Sequence, residues 1–310
     1  MAGLAAIVMT LVSCSVPGIR QTERADLGSP VLNSFALEGR RTQETRDFLR
    51  ENGGAFFDRN SETTLALARR EFSDSPTIEN SLVLAELLSD RGGKLAPTDP
   101  LAAAGFFLGA AEVSLETALR TNDDQLREIY NYSCGRLTML LYENQVDLSR
   151  DQTIEGPEKS WTLKAYRPGS GMIPVGAADE VWATNSLKLK GFEEQDRITR
   201  EGFGASMVGH RNGTPERIAE SPFLASVGMS MPASVTFDFS SDGRSVEVAI
   251  HDGLLRDKAV IGGKVVPLEV DLTAPLATLA SHVPDHQVGF KGMLNPEKGS
   301  EEAGLFEISL

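Results

Sequence analysis

The sequence predicts an α+β protein, with an N-terminal antiparallel α-helical array followed by a β-rich, mainly antiparallel region with short helices. Three observations predict this class. Apolar residues recur every three or four positions from residue 35 to residue 144. After that point they alternate with polar residues. An Asp-Gly pair also separates two of the alternating runs, which is typical of a β-hairpin.

The first two helices are predicted from their ends. One covers residues 36–51 and is closed by Gly53-Gly54, since glycine commonly follows the last turn of a helix. The next begins at Ser61, whose hydroxyl suits an N-cap, and continues through Phe72.

Three further helices follow after short loops. The third opens at Ser75-Pro76 and ends at Gly92-Gly93, and the fourth opens at Asp99-Pro100. The fifth opens at residues 122–124, where carboxylates suit the positive end of a helix dipole. Short loops imply antiparallel neighbours, so both a plain helical bundle and an array of helical hairpins remain open.

The C-terminal half is predicted to consist of short strands. They cover residues 161–166, 180–189, 233–239, 245–250 and 265–272, with a short helix at 274–282. The polar segment 147–159, with Gly156-Pro157, is the expected boundary between two domains. The resulting division is a leader and tether at 1–34, a helical domain at 35–146 and a β-rich domain at 160–310.

The net charge excludes one class of partner. A formal charge of -14 without a cluster of Lys or Arg repels polyanions, so we expect no binding to nucleic acid. No dinucleotide or phosphate-loop motif is present in the sequence, and no cofactor is expected.

The N-terminus resembles a bacterial lipoprotein leader. An uncharged apolar run at residues 4–12 precedes Leu11-Val12-Ser13-Cys14, which is similar to a lipobox, although no basic residue precedes the run. This resemblance implies export, lipid attachment at Cys14 and anchoring to a membrane. Ser15 fits sorting to the outer membrane, and residues 21–32 would act as the tether. The second cysteine, Cys134, lies in a helical pattern and is expected to be a buried, unreactive thiol.

Two local patterns are candidates for chemistry. Residues 204–209 are close to the G-x-S-x-G turn that exposes a nucleophilic serine, which makes Ser206 a candidate, but Val208 replaces the second glycine. The alternative is a glycine-rich loop, a candidate functional loop formed by Gly202, Gly204, Ser206 and Gly209, whose backbone needs positive φ or close approach.

The histidines give no metal motif. His282 and His286 are four residues apart, but Pro284 interrupts the helix that would bring them together, so no metal site is expected. His210 and His251 are expected to be surface or structural residues.

Three segments together look like the N-terminal region of bacterial lipoproteins in the α/β-hydrolase superfamily. They are residues 200–209 (REGFGASMVG), 232–252 and 266–277 (VPLEVDLTAPLA). In addition, residues 289–292 and 303–305 resemble the segment just before the strand that carries the oxyanion His-Gly. The resemblance implies a serine hydrolase acting on esters. No residue of this sequence matches a family triad position, so none is assigned a catalytic role.

Three hypotheses follow. The first is the non-catalytic anchoring and accessory portion of a membrane-tethered esterase or lipase, with the chain stopping inside an apolar strand at 304–310 before the catalytic core. The second is a non-enzymatic envelope lipoprotein whose helical array binds a protein partner. In the third, the chain itself hydrolyses esters through Ser206.

Overall fold

The computed structural model describes residues 18–21, 41–52, 61–190, 197–221 and 224–282. Within these ranges the helices are α1 (Gln43–Glu51), α2 (Ser61–Asp74), α3 (Ile78–Leu95), α4 (Pro100–Thr121), α5 (Asp124–Glu143), α6 (Pro215–Glu220) and α7 (Thr273–Ser281). The strands are β1 (Gly18–Gln21), β2 (Gln152–Glu155), β3 (Ser160–Leu163), β4 (Glu180–Ala183), β5 (Leu187–Lys190), β6 (Thr199–Arg200), β7 (Ala205–Arg211), β8 (Met229–Phe239), β9 (Ser245–Asp252), β10 (Lys258–Ile261), β11 (Lys264–Pro267) and β12 (Val270–Asp271). The predicted α+β class is confirmed.

Side-chain caps begin two of the long helices where the sequence predicted. Asp99 accepts a hydrogen bond from the Ala102 amide at 3.0 Å, and Asp123 accepts one from the Leu126 amide at 2.9 Å. Helix α2 begins at Ser61 and continues past Phe72, as predicted. For α1 the predicted start is wrong, because Thr42 caps a helix that begins at Gln43.

Helix α3 departs from its predicted ends. It begins after Thr77, whose hydroxyl caps the Asn80 amide, and not at Ser75-Pro76. It also passes through Gly92 and Gly93 to Leu95. A Cβ on Gly92 would lie 3.1 Å from ring carbons of Phe107, so this glycine allows α4 to pack closely. Tertiary packing therefore outweighs the low helix propensity of glycine here.

The main sheet has six strands in the order β2-β3-β9-β8-β7-β4. All neighbouring pairs are antiparallel except β3 and β9. The predicted hairpin is confirmed, since β8 and β9 pair from Ala233↔Asp252 to Phe239↔Val246. Gly243 in its turn has φ +62°, a backbone conformation that favours glycine. This hairpin forms the centre of the sheet.

Other predicted strands are shorter or interrupted. The strand predicted at 161–166 ends at Leu163, and the one predicted at 180–189 is divided by a 3₁₀ turn at Thr184–Ser186. Strands β11 and β12 replace the single strand predicted at 265–272, while α7 matches the predicted helix. The predicted boundary segment contains β2, which is the edge of the main sheet.

Helices α4 and α5 pack against one face of the sheet. Phe107, Leu126 and Leu137 share one hydrophobic cluster with Trp161 and Phe237. Helix α4 is long and apolar enough to cross a bilayer, but most of it is buried inside the protein, as in the core helix of a soluble protein. The opposite face of the sheet, called the outer face below, is partly covered by α7 and β12.

Candidate functional site

An apolar pocket lies between α5 and the helix-facing side of the sheet. Its volume is about 330 Å³, which is within the ~300–1,000 Å³ typical of small-molecule sites. Leu141 lines it from the helix, and Met207, Gly209, Val235 and Ile250 line it from three strands. Side chains alternate between the two faces of a strand, so alternate residues of β7 and β8 reach this pocket. The pocket is one continuous apolar surface drawn from distant parts of the sequence.

The connection between β3 and β4 forms the rim of this pocket. Tyr166 donates a hydrogen bond to the Ile173 carbonyl at 2.6 Å, and the Ile173 amide donates to the Ile250 carbonyl at 2.9 Å. These bonds hold the connection beside β9. Val175 on the rim is 51% exposed, so the pocket opens to solvent there.

The polar side chains around this pocket are few and mostly paired. Thr138 donates to the Cys134 carbonyl at 2.8 Å, and the Tyr142 hydroxyl donates to the Asp179 carbonyl. Gln145 is exposed at the rim. The pocket can therefore hold an apolar group, and its described lining provides neither a nucleophile nor a general base.

Ser206 lies in the middle of strand β7 and faces away from the apolar pocket. It is 6% exposed, and its hydroxyl accepts a hydrogen bond from the Asp271 amide at 2.8 Å. The loop prediction is wrong for this residue and for Gly209, because β7 pairs with β8 on one side and β4 on the other. A serine inside a paired strand lacks the sharp turn of a nucleophile elbow.

The predicted need for positive φ or close approach of the backbone is confirmed at Gly204 and Gly202. Gly204 has φ +96°. A Cβ on Gly202 would lie 2.5 Å from the carbonyl oxygen of Pro267. Both glycines allow the chain to enter β7 against β8 and β11. Of the four residues of the predicted loop, Gly209 lines the apolar pocket.

His210 and His251 are buried and make side-chain contacts, so of the two predicted alternatives the structural one holds for both. The Nδ1 atom of His210 lies 2.9 Å from the Ser230 hydroxyl, and its ring stacks on His282 with 3.8 Å between centroids. Burial and the neighbouring His282 lower the pKa of His210. His286 lies outside the described residues, and no group of three or more metal-ligating side chains occurs within them.

A polar network missed by the sequence predictions joins α5 to the outer layer. Asn131 donates to the Gly202 carbonyl at 2.8 Å and to the Glu269 carboxylate, and it accepts from the Gly204 amide at 2.8 Å. Burial, followed by the nearby Glu128 carboxylate, raises the pKa of Glu269 to about 7. The residues of this network are up to 138 positions apart in the sequence, so no local sequence pattern indicates the network.

The two cysteines differ in what the structure reveals. Cys134 is fully buried, as predicted, and burial raises the pKa of its thiol to about 12. Such a thiol is not a nucleophile at neutral pH. Cys14, the predicted site of lipid attachment, lies outside the described residues.

No known protein family, curated protein or solved structure matches this chain.

Proposed function

We propose that the chain is a non-catalytic module that binds an acyl-type apolar ligand in the pocket between α5 and the sheet. In this proposal the module is the accessory portion of a membrane-tethered ester hydrolase. The binding function is inferred from the pocket, which has an apolar lining and an opening at Val175. Burial of apolar surface is the driving force expected at such a site.

Two observations favour a role without catalysis. Ser206 is held by a backbone amide, and the hydrogen bond between Ser230 and His210 uses Nδ1 of the ring. The Nε2 atom of His210 is buried and has no hydrogen-bond partner among the residues that the structure describes. A serine–histidine pair that hydrolyses esters needs an accessible hydroxyl and a base oriented by a third group. The described residues do not provide that arrangement.

Calorimetric titration with straight-chain fatty acids of increasing length tests the binding function. We expect saturable binding of one molecule per chain. Val181, on β4 opposite Gly209, lines the pocket, so Val181→Phe should fill part of it and weaken binding at least about tenfold. One order of magnitude corresponds to about 1.4 kcal/mol.

Val265→Phe is the matched control, because Val265 is also a strand valine but is 70% exposed and outside the pocket. Absence of saturable binding, or equal losses in both variants, would contradict the proposed site. A separate assay of short-chain ester turnover compares the unmodified chain with Ser206→Ala. Turnover that disappears in the variant would restore Ser206 as a nucleophile.

A further inference from the structure

A second and larger cavity lies on the outer face of the sheet. This outer cleft has a volume of about 650 Å³ and a mixed polar and apolar lining. Thr236 and His251 on β8 and β9 form its floor, and Ala249, directly opposite Thr236, also lines it. Because strand residues alternate, the hairpin that lines the apolar pocket on one face lines this cleft on the other.

One end of the outer cleft is acidic. Asp238 and Glu247 are directly opposite each other on β8 and β9. Asp238 accepts a hydrogen bond from the Gly262 amide at 2.9 Å, and burial raises its pKa. The neighbouring Lys164 is paired with Asp151 at 3.0 Å, so it does not neutralise this acidic pair. A ligand cation would be favoured here.

The other end of the outer cleft is basic. Arg256 and Lys258 follow the end of β9, and β10 then runs toward Gly262, which contacts Asp238 at the acidic end. The Arg256 side chain donates to the Ser170 carbonyl. Arg167 also lines the cleft, where its charge acts on Asp151 and not on this end. In a chain with a net charge of -14, Arg256 and Lys258 give this end of the cleft a local positive charge.

The floor of the cleft contains a buried imidazole ring. His251 is 6% exposed, and its Nε2 atom lies 3.0 Å from the Thr236 hydroxyl. Burial, with a smaller contribution from Arg256, lowers the pKa of His251 to about 4, so the ring is neutral at pH 7. A neutral imidazole can donate or accept a hydrogen bond.

The separation of the two ends gives the ligand length. The charge of Arg256 acts on His251, so the Ser234–His251 pair lies beside the basic end of the cleft. This pair and the Asp238–Glu247 pair are four residues apart along β8, which is roughly 13 Å at the rise of a strand. Three extended residues span about 10–11 Å. A tripeptide therefore places its two charged termini near opposite ends of the cleft.

We propose that the outer cleft binds a short extended peptide of about three residues, with its ammonium group at Asp238 and Glu247 and its carboxylate at Arg256 and Lys258. The neutral floor at Thr236 and His251 would face the peptide backbone. This site is separate from the apolar pocket and does not depend on the acyl ligand.

Calorimetric titration with trialanine, N-acetyl-trialanine and trialanine amide tests this assignment. We expect trialanine to bind, and each capped peptide to bind at least about tenfold more weakly, because each lacks one terminal charge. Trialanine that does not bind at millimolar concentration would overturn the proposal. Equal binding of trialanine and either capped peptide would also overturn it.

Two variants assign the ends. Arg256→Gln should weaken trialanine binding about tenfold and leave trialanine amide unchanged, while Glu247→Gln should do the same for trialanine and leave the acetylated peptide unchanged. The exposed Arg244→Gln and Glu220→Gln are the controls, because neither residue lines the cleft. Circular dichroism confirms that each variant is folded. Equal losses in the controls would contradict the site, and Val181→Phe should leave peptide binding intact.

Discussion

The two faces of the β8–β9 hairpin differ in chemistry although they share one backbone. The helix-facing side buries Val235, Phe237 and Val246 in the main hydrophobic cluster. The outer side carries Thr236, Asp238 and other polar groups, several of them buried. One alternating strand thus contributes apolar burial to the core and polar contacts to a second layer. Stability and ligand chemistry are therefore expected to depend on opposite faces of the same hairpin.

The largest expected loss of stability comes from comparing substitutions at two neighbouring residues on β8. Phe237 is fully buried, so Phe237→Ala should lower the free energy of unfolding by about 3–5 kcal/mol. Thr236→Ala on the outer side loses a hydrogen bond with His251 and should cost only about 1 kcal/mol. Urea unfolding followed by circular dichroism measures both. Similar losses at the two positions would remove the distinction between the faces.

A smaller effect concerns the polar contact within the helix-facing core. The Tyr130 hydroxyl donates to the Phe237 carbonyl and accepts from the Phe237 amide, each at 3.0 Å. Phe237 lies beyond the paired end of β7, so this hydroxyl replaces a strand partner. Tyr130→Phe leaves both backbone groups unpaired and should cost about 1–3 kcal/mol in urea unfolding.

Tyr142→Phe is the matched control, because Tyr142 is 41% exposed and water can replace its hydrogen bond. Its free energy of unfolding should change by less than about 0.5 kcal/mol. A Tyr130→Phe variant as stable as this control would show that the buried hydroxyl is dispensable.

The smallest expected effect depends on pH. Glu269 has a pKa of about 7 in the folded protein, against roughly 4.3 in an unfolded chain. Its contribution to stability is therefore present below pH ~4.3 and is lost as the pH rises through 7. Glu269→Gln resembles the protonated form, so it should match the parent chain at pH 4 and exceed its stability at pH 8.

The gain at pH 8 should be on the order of 1 kcal/mol, because Glu269 is partly exposed and solvent screens its charge. His251 contributes with the opposite sign, since its lowered pKa makes stability fall as the pH drops from about 6.5 to about 4. That contribution is the same in both proteins and cancels in their difference. A constant difference between pH 4 and pH 8 would contradict the raised pKa of Glu269.

Local patterns predicted the five helices of the N-terminal half, helix α7 and the central hairpin, because their determinants are close in sequence. Asp99 and Asp123 cap their own helices, and Gly243 lies in the turn that it forms. Strand β7 was missed for a physical reason. Both of its faces are buried, so Ser206 and Gly209 do not show the apolar and polar alternation of a half-exposed strand.

The candidate sites could not be predicted from the sequence, for a different reason. The apolar pocket brings Leu141 of α5 together with Ile250 of β9, and the outer cleft brings Arg167 together with Arg256. These residues are far apart along the chain, and only the pairing order of the strands brings them together. A serine motif, in contrast, is visible locally and led to Ser206, which the structure places in a paired strand.

The buried thiol of Cys134 has a kinetic consequence. Its sulfur lies on α5 within the cluster that joins this helix to the sheet. A thiol-modifying reagent can reach it only when α5 separates from the strands beneath it. The rate of covalent labelling at Cys134 therefore measures how often α5 separates from the sheet.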